Sequence, residues 1–487
     1  MRRSTSVLLA TMWLALHAWA LHACSDEQTG PSAEVNYTEQ REVCADRNAL
    51  RNLYWGDLHA HTGLSFDAWS YGTVASPSDL YRFAKGEPLA LGPIDERNRT
   101  LTLDRPLDFA AVTDHHEYLA EVTLCVDPES PVANTETCSQ YRQGEMGNVV
   151  AFGLRLTDPD NLEPFEDVCD PSQVSCDDVA IEVWNHIQDA AEEHYDRSAA
   201  CAFTSFVAYE YTNATSVTNL HRNVVFRNAI VPLFPPSFFE QPTPFGLFSE
   251  LAETCLDAQS GCDLISIPHN SNWSNGQLFY PEYPDATTRD EERTLAKLRA
   301  RIEPLAEIFQ HKGDMECETN FAELDGPEDP LCNFEKQRHP PLDECGELPG
   351  AMGVSLLGCI HKLEFLRNVF KAGLKEKRRL GINPYRLGII GSTDTHNSSP
   401  GYVDEEHFEG HVGSTDDTAA KRLGPGNMTH HGVRYNPGGL AAVWAVENSR
   451  DALFEAFRRR EVYGTSGPRI KLRFFAGFGL DQDLCQK

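Results

Sequence analysis

Beyond residue 52 the chain alternates short apolar runs, rich in Val, Ile and Phe, with longer amphipathic segments. Short apolar runs of this kind read as buried strands, and their alternation with helical patterns predicts βα units around a parallel sheet. Strands are predicted over 53–58, 109–113, 203–210, 264–268, 306–310, 387–391 and 440–446, and helices over 77–84, 179–195, 290–302, 361–380 and 452–460. Ser76 supplies a cap and Pro77 the first helical position of the first helix. A further strand pair is expected within 219–227. Seven strands suffice for a barrel, so the expected fold is α/β, one TIM-like (β/α)7 barrel spanning 51–475. The stretches 124–176, 313–358 and 407–436 are polar and rich in Gly, Pro and Cys, and are expected as long loops inserted at the C-terminal mouth.

Residues 1–23 read instead as an export signal: Arg2 and Arg3, then an apolar stretch interrupted by Thr11 and His17, then small residues. Leu21-His22-Ala23-Cys24 is similar to the end of a bacterial lipoprotein signal, with Cys24 as the acylated residue; secretion with cleavage nearby is the alternative. Residues 24–50 then serve as tether and lead-in, and 476–487 as a tail. No later segment has the ~20 uninterrupted apolar residues of a transmembrane helix. The expected location is the periplasm or outer membrane of a bacterium, or outside it, with a lipid on Cys24 as the sole membrane contact. Fourteen cysteines fit an oxidising compartment. Cys125/Cys138, Cys169/Cys176, Cys255/Cys262 and Cys332/Cys345 are near enough to staple local loops, and none has the tight spacing of a structural zinc site. Cys201, beside an apolar run, reads as a buried free thiol.

At 487 residues, 41% hydrophobic and 24% charged, the chain can bury a large core. Its 73 Asp and Glu against 42 Lys and Arg leave a net charge of −31, which repels a nucleic-acid backbone, so no DNA or RNA partner is expected. A site for an anionic substrate would need local positive charge, most simply from bound cations.

The residues at the C-terminal ends of the predicted strands supply the chemistry. His59 and His61 come after the first, with Asp67 beyond; Asp114, His115 and His116 after the second; Glu210 ends the third; His269, His311, and Asp394 with His396 come after the next three. In a βα barrel such residues meet at one mouth. Taken singly, each reads at least as well as polar surface, a turn residue or a buried ion pair, Glu210 with Arg222 for example. Six successive strand ends offering such groups are harder to obtain from packing. A nitrogen and oxygen donor set without cysteine suits two or three divalent ions, Zn, Mn or Fe, with Mg as a further option. His407, His411, His430 and His431 lie in loops with nothing tying them to this set.

The same residues resemble the polymerase and histidinol phosphatase (PHP) superfamily, a distorted barrel of seven βα units, in a largely bacterial branch known only as a domain of unknown function. The branch is suggested by Tyr54-Trp55-Gly56-Asp57-Leu58-His59, His221-Arg222-Asn223-Val224-Val225-Phe226, Phe309-Gln310-His311-Lys312-Gly313 and the run from Arg460 to Ile470. The resemblance implies three ion positions: His59, His61, Glu210 and Asp394; Glu210, His269 and His311; and Asp67, His115 and His396. Asp67 stands where several relatives have His, which favours a harder ion such as Mn or Mg. The implied activity is hydrolysis of a small phosphoester by a hydroxide bridging two cations. Asp114 is expected to orient His115, His116 to protonate the leaving group, and Arg222 and Lys312 to clamp the oxyanion. Ester, carbamate or amide hydrolysis on the same ions, and metal or ligand capture without catalysis, are the alternatives.

Overall fold

A computed structural model describes residues 34–91, 99–143, 146–160, 162–319, 329–338, 343–426 and 432–479. The predicted signal, Cys24, His430, His431 and Cys485 lie outside the described residues. The apolar runs become strands β1 (Asn52–Asp57), β2 (Phe109–Ala111), β3 (Thr204–Phe206), β4 (Ala208–Tyr211), β5 (Arg222–Phe226), β6 (Leu264–Pro268), β7 (Leu305–Gln310), β8 (Gly388–Gly391), β9 (Leu440–Ala445) and β10 (Val462–Thr465).

The sheets are mixed rather than all-parallel. β1, β2 and β3 run parallel, β9 adds antiparallel to β1, and β10 pairs antiparallel with β9. β4, β5 and β6 form an antiparallel sheet, while β7 and β8 are parallel. Among the described residues these ladders do not join into one closed ring. The predicted strand 203–210 is broken at Val207, whose carbonyl accepts from the Phe226 amide, so the chain leaves one sheet and enters the next. Single parallel bridges continue the pattern beyond the strand ends, His115 with Glu210 and Ala60 with Thr395. β8 meets β10 at glycine: a Cβ on Gly464 would lie 2.5 Å from the Gly391 amide nitrogen, so neither strand could approach the other with larger residues.

Inside, Leu58, Phe109, Phe206, Ile267, Ile390, Val443, Phe454 and Phe457 form a buried cluster. The helix Arg450–Arg459 adds Leu453, Phe454 and Phe457 to it, and Cys176–His194 packs Trp184 and Ile187 into a second cluster. The stretch 124–176 is more ordered than a loop. It holds the helices Glu136–Arg142 and Met146–Arg155, because Tyr141, Phe152, Leu156 and Phe165 find a buried aromatic nest around Phe66 and Tyr118. The run 470–475 is exposed and forms no ladder among the described residues.

Six disulfides link Cys44–Cys201, Cys125–Cys138, Cys169–Cys176, Cys255–Cys262, Cys317–Cys332 and Cys345–Cys359. Three of the expected local pairs form. Cys332 pairs backward with Cys317 rather than with Cys345, and Cys201 is bonded, not free, since it fastens the lead-in segment to the body. Among the described residues no helix is long and apolar enough to cross a membrane.

Candidate metal centre

The parallel strands β1, β2, β7 and β8 end at one face, and β4 and β6 deliver Glu210 and His269 to the same place. Four donor atoms there form a compact set. His59 Nε2 lies 3.2 Å from Glu210 Oε2 and 3.3 Å from Asp394 Oδ1; His61 Nε2 lies 3.3 and 3.2 Å from the same two oxygens. Ligands about 2.0–2.2 Å from a common ion stand roughly 3.0–3.5 Å apart, so this spacing fits joint coordination. His61 Nε2 and Asp394 Oδ1 are buried without a hydrogen bond, as are both ring nitrogens of His311. Buried polar atoms left in this way call for a partner that is not protein.

Around this set, His269 Nε2 and His221 Nδ1 approach Glu210 Oε1 at 3.2 and 2.7 Å. Asp67 Oδ2 sits 2.9 Å from His396 Nε2 and 3.4 Å from His115 Nε2. His311 Nε2 faces Asp394 Oδ2 at 3.5 Å and falls in one donor group with Asp394 and His396. Asp394 itself has φ 56°, a left-handed conformation that Asp tolerates, and Asn270 has φ 50°.

The tautomers are set from behind. His59 Nδ1 donates to Glu307 (2.9 Å), His61 Nδ1 to Ser65 Oγ (2.9 Å) and His396 Nδ1 to the Asp394 carbonyl (2.9 Å), which turns each Nε2 lone pair inward. Gln310 donates to Asp394 Oδ2 (2.6 Å) and to Asn270 Oδ1 (2.7 Å). Asp57 ties two strand ends together by accepting from Thr393 Oγ1 (2.6 Å) and from the Gly401 amide (2.9 Å).

Electrostatics point the same way. Burial works to raise the Glu210, Asp394 and Asp67 carboxyls. Charge on His115 together with hydrogen bonds from His221 and His269 holds Glu210 well below the ordinary range, as His59 and Lys312 hold Asp394, and His396 and His115 hold Asp67. Burial keeps His61, His269 and His311 neutral, with His269 down to about 3. Burial opposes charge on His59 and His115 as well, yet Asp394 with Glu307, and Glu210 with Asp67, pull them up, His115 to about 9. Carboxylates and neutral imidazoles thus stand together with donor atoms that no protein group satisfies, a set of the kind that cations bind.

The non-ligand assignments change. Lys312 does line the site and pairs with Asp394. Asp114 does not support His115, whose Nδ1 contacts Thr212 Oγ1 at 2.6 Å. It accepts instead from Ser65 Oγ (2.7 Å) and from Thr62, and so steadies His61. His116 turns away into a nest of Trp184, Tyr209 and Phe234, because adjacent residues on an extended segment face opposite sides. Arg222 is buried against Glu303 at 3.0 Å, away from Glu210 and from the mouth. His411 has both nitrogens bonded, to Thr395 and to the Pro437 carbonyl, and His407 is exposed beside Asp404.

His221 and Glu307 were not among the predicted site residues. In place of the strand pair expected within 219–227 there is the single strand β5, antiparallel to β4 and β6, so its first residues, not its last, reach the mouth. Glu307 is a lone carboxylate within an apolar strand, and that was its available signal, since a buried charge needs a partner.

No curated protein matches this sequence. Among solved structures the chain is similar to a two-domain protein containing a predicted PHP-like metal-dependent phosphoesterase from Bacteroides vulgatus ATCC 8482. The identity is 13% and the TM-score 0.33, over 89% of this chain and 69% of that one. Residues 48–487 match the family model described as "Protein of unknown function (DUF3604)", and with that span covered the chain belongs to the DUF3604 family.

Proposed function

We propose that the protein is an exported, cation-dependent hydrolase of small phosphoesters, its site at the mouth of a distorted (β/α)7 barrel of PHP type. The observation that carries the reading is the buried convergence of three ionised carboxylates and seven imidazoles, with His61 Nε2, Asp394 Oδ1 and both His311 nitrogens lacking any protein hydrogen bond. His59, His61, Glu210 and Asp394 would hold one ion; Glu210 with His269, and Asp67 with His115 and His396, would hold others. Bound there, divalent cations would acidify a water and offset charge developing on the substrate oxygens.

The chain's own groups do the rest. Lys312 binds an anionic substrate oxygen at the cavity floor, beside Asp394. Gln310, Glu307 and Ser65 keep the donor atoms aimed. In the net reaction the oxygen of water joins phosphorus, the P–O bond to the alcohol breaks, and the departing oxygen takes up a proton. A carboxylic ester is the second reading, favoured because Lys312 is the one Lys or Arg among the described residues lining the cavity. Export is supported by the six disulfides, which persist in oxidising compartments.

Protein loaded with Mn or Zn should hydrolyse an aryl phosphate or aryl phosphodiester; activity on an aryl carboxylic ester alone would overturn the phosphoesterase reading. Glu210→Gln should lose bound metal by elemental analysis, and retention of the full complement would remove Glu210 from the ligand set.

A further inference from the structure

The cavity of about 240 Å³ above the centre is built of two unlike parts. Its floor holds the carboxylates, imidazoles and Lys312. Its wall is mostly apolar: Val150, Leu154, Leu156, Val217, Trp273 and Val354 line it, with Thr157, Asn219 and Ser355 between them. These residues come from segments far apart in sequence that backbone hydrogen bonds stitch together. The Ala214 and Ser216 amides donate to the Leu156 and Thr157 carbonyls at 3.2 and 3.0 Å, and the Met352 amide donates to the Ser216 carbonyl at 3.1 Å. Cys345–Cys359 closes the loop that carries Val354, and Cys125–Cys138 and Cys169–Cys176 flank the helix that carries Val150 and Leu154. These bonds tie the segments of the wall to one another.

On that helix Gly153 also lines the cavity, and a Cβ placed on it would meet nothing within 4 Å. A glycine inside a helix lowers helix stability relative to most residues, so this one keeps open a volume that a side chain would fill.

We infer that the wall makes this centre selective for esters whose organic group is aromatic or branched alkyl, and that Gly153 is the position that leaves room for that group. The inference rests on the hydrolase reading above for the word ester, but the wall itself can be tested by binding. A sugar or nucleotide would bring many hydroxyl and ring polar groups against a wall where few side chains can hydrogen-bond to them, whereas a phenyl ring would shed water on entering.

The test is calorimetric titration of Mn-loaded full-length protein with phenylphosphonate and with methylphosphonate, which share a headgroup and resist hydrolysis. Phenylphosphonate should bind at least about tenfold more tightly. Gly153→Leu should remove that advantage, leave methylphosphonate affinity unchanged and keep the melting temperature at or above the wild-type value. Equal affinities in the wild type, no binding of either ligand, or a phenyl preference that survives Gly153→Leu would each overturn the inference. Ester hydrolysis without phenyl preference would overturn it and spare the hydrolase reading. Phenyl-selective binding without hydrolysis of any ester would support the wall and overturn the hydrolase reading.

Discussion

A histidine offers a lone pair only through the ring nitrogen without a proton, so the partner of the other nitrogen decides whether it can ligate. Glu307 makes that choice for His59. Glu307→Gln should weaken metal binding by roughly 10–100-fold, measured against a competing chelator, and unchanged affinity would reduce Glu307 to packing. Lys312→Met should lower kcat/KM for anionic esters by about 100-fold, as expected when one donor to a developing negative charge is lost. By contrast His116→Phe, a ring-for-ring exchange among Trp184, Tyr209 and Phe234, should leave turnover within about twofold. The His-x-His and Asp-x-His pairs were legible because their geometry is local. Their supports were not, since His59 meets Glu307 and His115 meets Thr212 only after distant strands are placed side by side.

At the scale of elements, the apolar runs marked nearly every strand, because a strand buried on both faces leaves a continuous apolar signature. Direction is not written in such a run. β5 and β9 turned out antiparallel, and with β5 reversed His221 arrives at the mouth while the side chain of Arg222 goes into the body. There Arg222 and Arg299 both hold Glu303, at 3.0 and 2.8 Å. Arg222→Met should cost about 3 kcal/mol in denaturant unfolding by leaving a buried carboxylate half-paired, with kcat of the folded protein unchanged; a loss of kcat at full stability would restore Arg222 to the site. The helices of 136–155 escaped the sequence because their Thr, Ser, Gly and Asn content argues against helix. Burial of Tyr141 and Phe152 overrides that propensity.

For the molecule as a whole, the acidic balance argued against a nucleic-acid partner, and Asp67, Glu210 and Asp394 are the carboxylates that the fold gathers into a set able to hold cations. Other buried carboxyls set the response to pH. Burial pushes Glu121, on the helix Leu119–Val126, up to about 7 from an ordinary 4.5, so the native state holds a proton that the unfolded chain releases. The stability this provides is complete below about pH 4.5 and is lost as pH rises through about 7. Glu121→Gln should therefore gain up to about 3 kcal/mol on the wild type between about pH 5 and pH 8, read from unfolding midpoints at both; a constant difference would mean that the carboxyl does not titrate. The order of the disulfides along the chain bears on how the protein is made. Five bonds join cysteines that are consecutive in the described sequence, but Cys44–Cys201 spans 157 residues and encloses two of the others. An oxidant acting on thiols as they emerge during export would join Cys44 to Cys125 first and displace each partner as far as Cys201, whereas the three bonds beyond it would still form in register. Correct assembly thus depends on exchange of that first bond, and yield from an oxidising compartment should rise with co-expressed disulfide isomerase far more than with added oxidant.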